Sequence, residues 1–276
     1  MLFSPLVAVS GSLRTRTEGL SMDCAKAERE IVRFIRKVVE DSGSSGAVIG
    51  LSGGIDSSVV GALLVRALER EKVIGILMPA SHTPKEDTED ARALAKSWGI
   101  KTYEVGIDPV FSAFEKSLPK EGGGRVAYAN VKARIRMVIN YYIANSNGML
   151  VAGTGDRSED LIGFFTKHGD GGVDFLPIAH LYKTQVRLLG AHLGLPERLV
   201  NKPASPQLWP GHKAVDEIPI EYERLDLVLA GLFDQKQTPT EVARKTGVDV
   251  KVVRDVIRRH KASAHKRSYP PMLGSW

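Results

Sequence analysis

Four short strand-like runs, Ala47–Ser52 (AVIGLS), Val73–Pro79 (VIGILMP), Lys101–Ile107 (KTYEVGI) and Gly148–Thr154 (GMLVAGT), alternate with segments of helical periodicity. Strand followed by helix followed by strand implies right-handed crossovers, and hence parallel strands buried on both faces. The helices are predicted over Asp23–Glu40, where Ile31, Phe34, Ile35, Val38 and Val39 recur at helical spacing, and over Ser57–Arg70, Glu86–Gly99 and Asn130–Ala144. The expected fold class is therefore α/β, a doubly wound parallel sheet with helices on both faces and a helical C-terminal segment beyond Lys183. Residues 155–175, rich in Gly and Asp, read as a functional loop region, and PQLWPGHKAVDEIP (206–219) as a Pro-rich break.

The chain has 276 residues, enough for one large domain. No apolar run reaches the ~18 residues of a membrane span. Residues 1–22 lack the basic start and continuous apolar stretch of a secretory signal, and read as an N-terminal extension and a candidate for disorder. Length alone also allows two small domains; residues 23–276 are expected to form a single one, which the resemblance given below makes catalytic. Cys24 is the only cysteine, so a disulfide within the chain and a cysteine-based zinc cluster are ruled out, and the cytoplasm is the expected compartment. A net charge of +6 favours anionic partners without choosing among them.

The most informative stretch is GLSGGIDSS, residues 50–58, between the first strand and its helix. In a parallel sheet ligands bind beyond the carboxyl ends of strands, and glycines followed by a helix N-terminus make an anion cradle there. Neither the lysine of a P-loop nor the G-x-G-x-x-G of a dinucleotide fold is present. Asp56 beside a phosphate would repel it unless a divalent cation bridges the two. The loop therefore predicts phosphate with magnesium, its missing positive charge supplied from elsewhere in the chain.

Ser52-Gly53-Gly54-x-Asp56-Ser57 resembles the pyrophosphate-binding loop of the N-type ATP pyrophosphatases, whose fold is the adenine nucleotide α-hydrolase-like sheet. Further motifs narrow the resemblance: Asn130–Met137 (NVKARIRM), Gly153–Glu159 (GTGDRSE), Gly163–Asp174 (GFFTKHGDGGVD), Lys183–Arg187 (KTQVR), Lys202–Trp209 (KPASPQLW) and His265–Arg267 (HKR). In order and spacing they are similar to those of the ammonia-dependent NAD synthetases, from about Gly50 to Arg267.

The resemblance implies ATP-dependent amidation of deamido-NAD to NAD through an adenylate, with release of AMP and pyrophosphate, as a ligase of the last step of NAD biosynthesis. It places ATP against Gly50, Leu51, Ser52, Gly53, Gly54, Ile55, Asp56 and Ser57, with Thr154, Lys183 and Ser205. It places magnesium on Asp56 and Glu159, and deamido-NAD on Arg134, Tyr141, Lys167, Asp174, His265 and Lys266. Asp56, Lys183 and Asp170 are the candidate catalytic residues. Asp170 would handle ammonium or orient the nicotinate end, with a simple turn-forming role an equal alternative. Arg134 and Tyr141, seven residues apart, share a helix face that in the family belongs to a homodimer interface. Free ammonia is the expected nitrogen donor, with a separate glutaminase as a candidate supplier.

Two departures stand out. Gln207 replaces an acidic residue frequent in the family, and no arginine stands at Leu77-Met78-Pro79, so adenine is expected to rely on backbone groups and apolar packing of that strand end. Arg157, Lys202 and Arg267 read as solvated surface charges, and Trp98 and Trp209 as packing residues. Thr238–Lys261 has the pattern of a helix-turn-helix with Gly247 at its turn, the one feature favouring nucleic acid; a packed helical pair is the commoner outcome, and neither nucleic acid nor membrane is expected as a partner.

Overall fold

The computed structural model describes residues 20–119, 124–205, 209, 211, 217–218 and 220–273. Four parallel strands, β1 (Ala47–Gly50), β2 (Val73–Leu77), β3 (Lys101–Glu104) and β4 (Leu150–Ala152), form one sheet in the order β3-β2-β1-β4. Chain order runs outward from β1 through β2 to β3 and then jumps to the other side of β1. The reversal between β1 and β4 is the switch point at which such sheets open a crevice.

The alternation of side chains divides the sheet's surroundings into two layers. Ala47 and Ile49 of β1 join Val73 and Leu77 in a core shared with α1 (Cys24–Asp41), α2 (Ile55–Ala67) and α3 (Lys85–Trp98). Val48, Ile74, Ile76 and Val151 point the other way, to Ile135, Ile143 and Ala144 on the long helix α5 (Arg125–Asn147), which follows α4 (Asp108–Ser117). Helices on both faces explain why β1 and β2 are apolar throughout. The edge strand β3 is exposed along its length, and there Lys101 over Tyr103 and the Glu104 pair with Arg92 discourage edge-to-edge pairing.

The stretch between residues 155 and 175, where composition predicts only loop, contains a short helix. Asp156 accepts a hydrogen bond from the Glu159 amide at 2.9 Å and caps α6 (Arg157–Ile162), which ends at Gly163 in the left-handed conformation, φ 70°. Beyond it lie α7 (Lys183–His192), α8 (Glu197–Val200), α9 (Tyr222–Leu229) with a π turn at Ala230–Asp234, α10 (Pro239–Thr246) and α11 (Val250–Ala262). Leu225, Val228 and Leu229 of α9 form a separate apolar cluster with Val242, Val248, Val253 and Val256.

The α10–α11 pair turns at Gly247, as its sequence pattern requires, but its valines face inward. Packing accounts for the motif. Leu20, assigned by sequence to the extension, is buried in this same cluster, and Met22 packs on the sheet core. Residues 1–19 and Gln207 lie outside the described residues. No helix among the described residues is long and apolar enough to cross a membrane.

Candidate active site

A cavity of about 750 Å³ opens at the carboxyl ends of β1, β2 and β4. Gly53 adopts φ 75°, and a Cβ there would stand 2.1 Å from the Asp87 carbonyl oxygen, so glycine is required both for the turn and for the approach of α3. The Ser57 hydroxyl donates to the Gly54 carbonyl at 3.1 Å and lies 3.1 Å from the Ser52 hydroxyl; Ser58 donates to the same carbonyl at 2.7 Å. These bonds fold the loop back on the first turn of α2, so that its amides and the helix dipole face the cavity.

Lys183, the first residue of α7 and 1% exposed, lies at the centre of the polar cluster. Its Nζ donates to Asp56 Oδ2 at 2.7 Å and to Glu159 Oε1 at 2.9 Å, and stands 2.8 Å from Asp156 Oδ2. Burial works against the ammonium, but Asp156, Asp56 and Glu159 overcome it and hold the Lys183 pKa well above its ordinary value. Burial lifts Asp156 and Glu159 above the usual carboxylate range, since one cation faces three anions. The expected donor of charge to the loop is thus in place, although it arrives paired rather than free.

This excess of carboxylate suits a hard divalent ion. Asp56 Oδ1 is buried without a hydrogen-bond partner, an acceptor of the kind magnesium uses. Among the described residues no three or more His, Cys, Asp or Glu side chains form a cage for a metal.

Asp156 is the residue that sequence reasoning missed. It is fully buried, caps α6 and contacts Lys183; its signal was the Asp-x-x-Glu spacing that opens a helix. Behind it, Asp226 accepts from the Ser158 hydroxyl at 2.6 Å and from the Thr184 amide at 2.8 Å, while Ser158 accepts from the Lys183 amide at 2.9 Å. These bonds tie α6, α7 and α9 together beneath Lys183. Burial pushes the Asp226 carboxyl up to about 7. Tyr222 presents its ring 5.3 Å from Lys183 Nζ.

The structure brings Gly50, Leu51, Ser52, Gly54, Ile55, Asp56, Thr154, Glu159, Lys183 and Ser205 to the cavity wall, together with Asp170 and Lys266. Gly53 and Ser57 support the loop from behind. Asp170 accepts from the Thr166 amide at 2.9 Å, so it both pins its turn and faces the cavity, whose walls push its pKa up. Arg134, Tyr141, Lys167, Asp174 and His265 are not part of the cavity wall. They form two separate outer sets: Arg134 donates to the Lys167 carbonyl and Lys167 Nζ to the His265 carbonyl at 2.6 Å, while the Tyr141 hydroxyl donates to Asp174.

Three charges expected at the solvated surface are engaged. Lys202 donates to the Gly53 carbonyl at 3.2 Å and pairs with Asp87 and Asp90. Arg157 pairs with Asp234 and lies over the Tyr182 ring. Arg267 donates to the Asp160 carbonyl at 2.8 Å. Trp98 packs against Gly61 as expected, whereas Trp209 lines the cavity under the Arg125 guanidinium. Cys24 is half-buried, and burial together with Asp23 raises its pKa, the opposite of an activated nucleophile.

Comparison with known proteins gives a consistent result. The family model described as NAD synthase matches residues 27–270. The NH(3)-dependent NAD(+) synthetase of Hyperthermus butylicus is 49% identical over 258 residues, 93% of each chain. The NH3-dependent NAD synthetase of Campylobacter jejuni superimposes with a TM-score of 0.79 at 31% identity, covering 92% of this chain and 100% of that one. An NMN synthetase from Francisella tularensis superimposes with a TM-score of 0.81 at 29% identity, covering 92% and 100%. With a family model spanning most of its length and relatives near half identity, the chain belongs to the NAD synthase family.

Proposed function

We propose that the protein is an ammonia-dependent NAD synthetase, a cytoplasmic ligase that converts deamido-NAD to NAD at the expense of ATP. The observation that carries this reading is Lys183 meeting Asp56 and Glu159 at the end of the Ser52–Ser57 loop, inside a chain of this family.

A carboxylate is a poor electrophile, so amidation needs activation. An oxygen of the nicotinate carboxylate attacks the α-phosphorus of ATP; the bond from that phosphorus to the oxygen bridging to the β-phosphate breaks, and pyrophosphate leaves. Ammonia then attacks the acyl carbon, the bond to AMP breaks, and a proton is released. The amides of the loop and Lys183 stabilise charge on the departing pyrophosphate. Asp56 and Glu159 would hold magnesium, which would supply Lewis acidity to the phosphate oxygens. Asp170 and Lys266 orient the nicotinate end, with Asp170 placed to hold ammonium.

The outer residues Arg134, Tyr141, Lys167, Asp174 and His265 then serve the far end of deamido-NAD across a homodimer interface. Supporting this, Val138 and Tyr142 lie one turn apart on α5 and are 60% and 73% exposed. The test incubates the purified protein with ATP, magnesium, deamido-NAD and ammonium and separates the products. NAD, AMP and pyrophosphate are expected in equal amounts; ADP with phosphate, or no NAD at saturation, would overturn the assignment.

A further inference from the structure

Arg136 is a half-buried cation that the proposed reaction leaves unused. It lies on the face of α5 that, with Ala129, Ala133, Met137 and Asn140, walls the cavity beside Met78. Its Nε donates to the Met78 carbonyl at 3.1 Å, which fixes the guanidinium plane against the end of β2. No partner among the described residues engages Nη1 or Nη2, and neither is sealed from the cavity as a buried unpaired atom. A forked pair of donors is thus held in place and turned toward the cavity.

Three observations bear on what those donors meet. The phosphate cradle and Lys183 lie at β1 and β4, so the arm beyond β2 receives what extends away from the phosphates. That arm is lined by Met78, Pro79, Ala129, Ala133 and Met137, walls suited to a flat ring. Among the described residues no carboxylate pairs with Arg136, whose charge Asp108 and Asp170 only partly balance against burial, so its Nη donors remain for an acceptor on the ligand. Burial lowers the Arg136 pKa below its ordinary value without discharging an arginine.

We infer that Arg136 is a specificity-determining residue for ATP, its Nη donors reading ring nitrogens of adenine at the end of β2. The inference rests on the ATP site proposed above. It also revises the expectation that this strand end offers adenine only backbone and apolar contacts: the cation comes from α5 instead.

The test titrates ATP and, separately, pyrophosphate into wild type, Arg136→Met and Arg136→Lys in the presence of magnesium, following the heat of binding. Loss of a charge-assisted hydrogen bond weakens ATP by about tenfold or more in Arg136→Met, with pyrophosphate unchanged within about twofold. Arg136→Lys, which keeps the charge but not the fork, shows the same split to a smaller degree and guards against misfolding of the first variant. In steady state KM for ATP rises and KM for deamido-NAD does not. Unchanged ATP affinity in both variants, equal loss for both ligands in both variants, or a rise confined to KM for deamido-NAD overturns the inference. A wild type that binds ATP yet forms no NAD would instead defeat the proposed reaction and leave the role of Arg136 standing.

Discussion

Lys183 Nζ reaches Asp56 Oδ2 at 2.7 Å across 127 residues of sequence, joining the start of α7 to the loop after β1. Because Asp156 and Glu159 converge on the same nitrogen, the lysine is the counter-ion of a buried cluster as well as the proposed phosphate ligand. Removing it as Lys183→Met leaves three carboxylates without their cation. Destabilisation on the order of 3–5 kcal/mol is expected in denaturant unfolding, with loss of NAD formation. A variant as stable as wild type would show that the cluster discharges itself by protonation.

Asp56→Asn should separate chemistry from folding. Asp56 keeps 23% of its side chain exposed, so the substitution leaves no deeply buried hole, but it removes an anionic oxygen from the magnesium site. Turnover is expected to fall by about a hundredfold or more with an unchanged circular dichroism spectrum and a higher magnesium requirement. Near-normal turnover would remove Asp56 from metal binding.

The raised carboxyl of Asp226 predicts a pH signature in stability. Its folded value of about 7 lies above the ordinary 3.8, so the folded state holds a proton that the unfolded state releases. Stability from this group is therefore greatest below about pH 4 and is lost as pH rises toward 7. Asp226→Asn, which can still accept from the Thr184 amide and donate to Ser158, should flatten that decline. Parallel pH profiles for wild type and variant would show that Asp226 is not the source.

Gly163 tests the docking of the tail. A Cβ at this left-handed position would lie 2.1 Å from the Ser263 Cβ, and Lys266 Nζ donates to the Gly163 and Phe165 carbonyls at 2.7 and 2.6 Å. Gly163→Ala should displace residues 263–267, raising KM for deamido-NAD more than KM for ATP and lowering stability by about 1–2 kcal/mol or more. Equal effects on both KM values would mean that the tail does not serve the dinucleotide selectively.

The sheet and its loop were legible because their signals are local: apolar strands at regular intervals, and glycines at the point where strand becomes helix. Lys183, Glu159 and Thr154 were reached only through the resemblance to the ammonia-dependent NAD synthetases. Ser158, Asp226 and Tyr222 matter through depth, and burial of a polar residue leaves little trace in a sequence; Asp156 showed only as the first residue of an Asp-x-x-Glu helix start. Arg157, Lys202 and Arg267 looked like ordinary surface cations, since charge says nothing about which partner lies across the fold. Residues 157–162 read as loop because one and a half helical turns are too short to display a period.

Helix α7 carries Tyr182 at its cap into one apolar cluster and Val186 and Leu189 into another. Lys183 stands where the chain crosses between them. Within either hydrocarbon phase an ammonium would find no oxygen to solvate it; at the seam, carboxylates from both sides do so. The joint between two separately built cores is thus the one kind of interior that tolerates ions, and a substrate carrying phosphates would act as mortar between the halves.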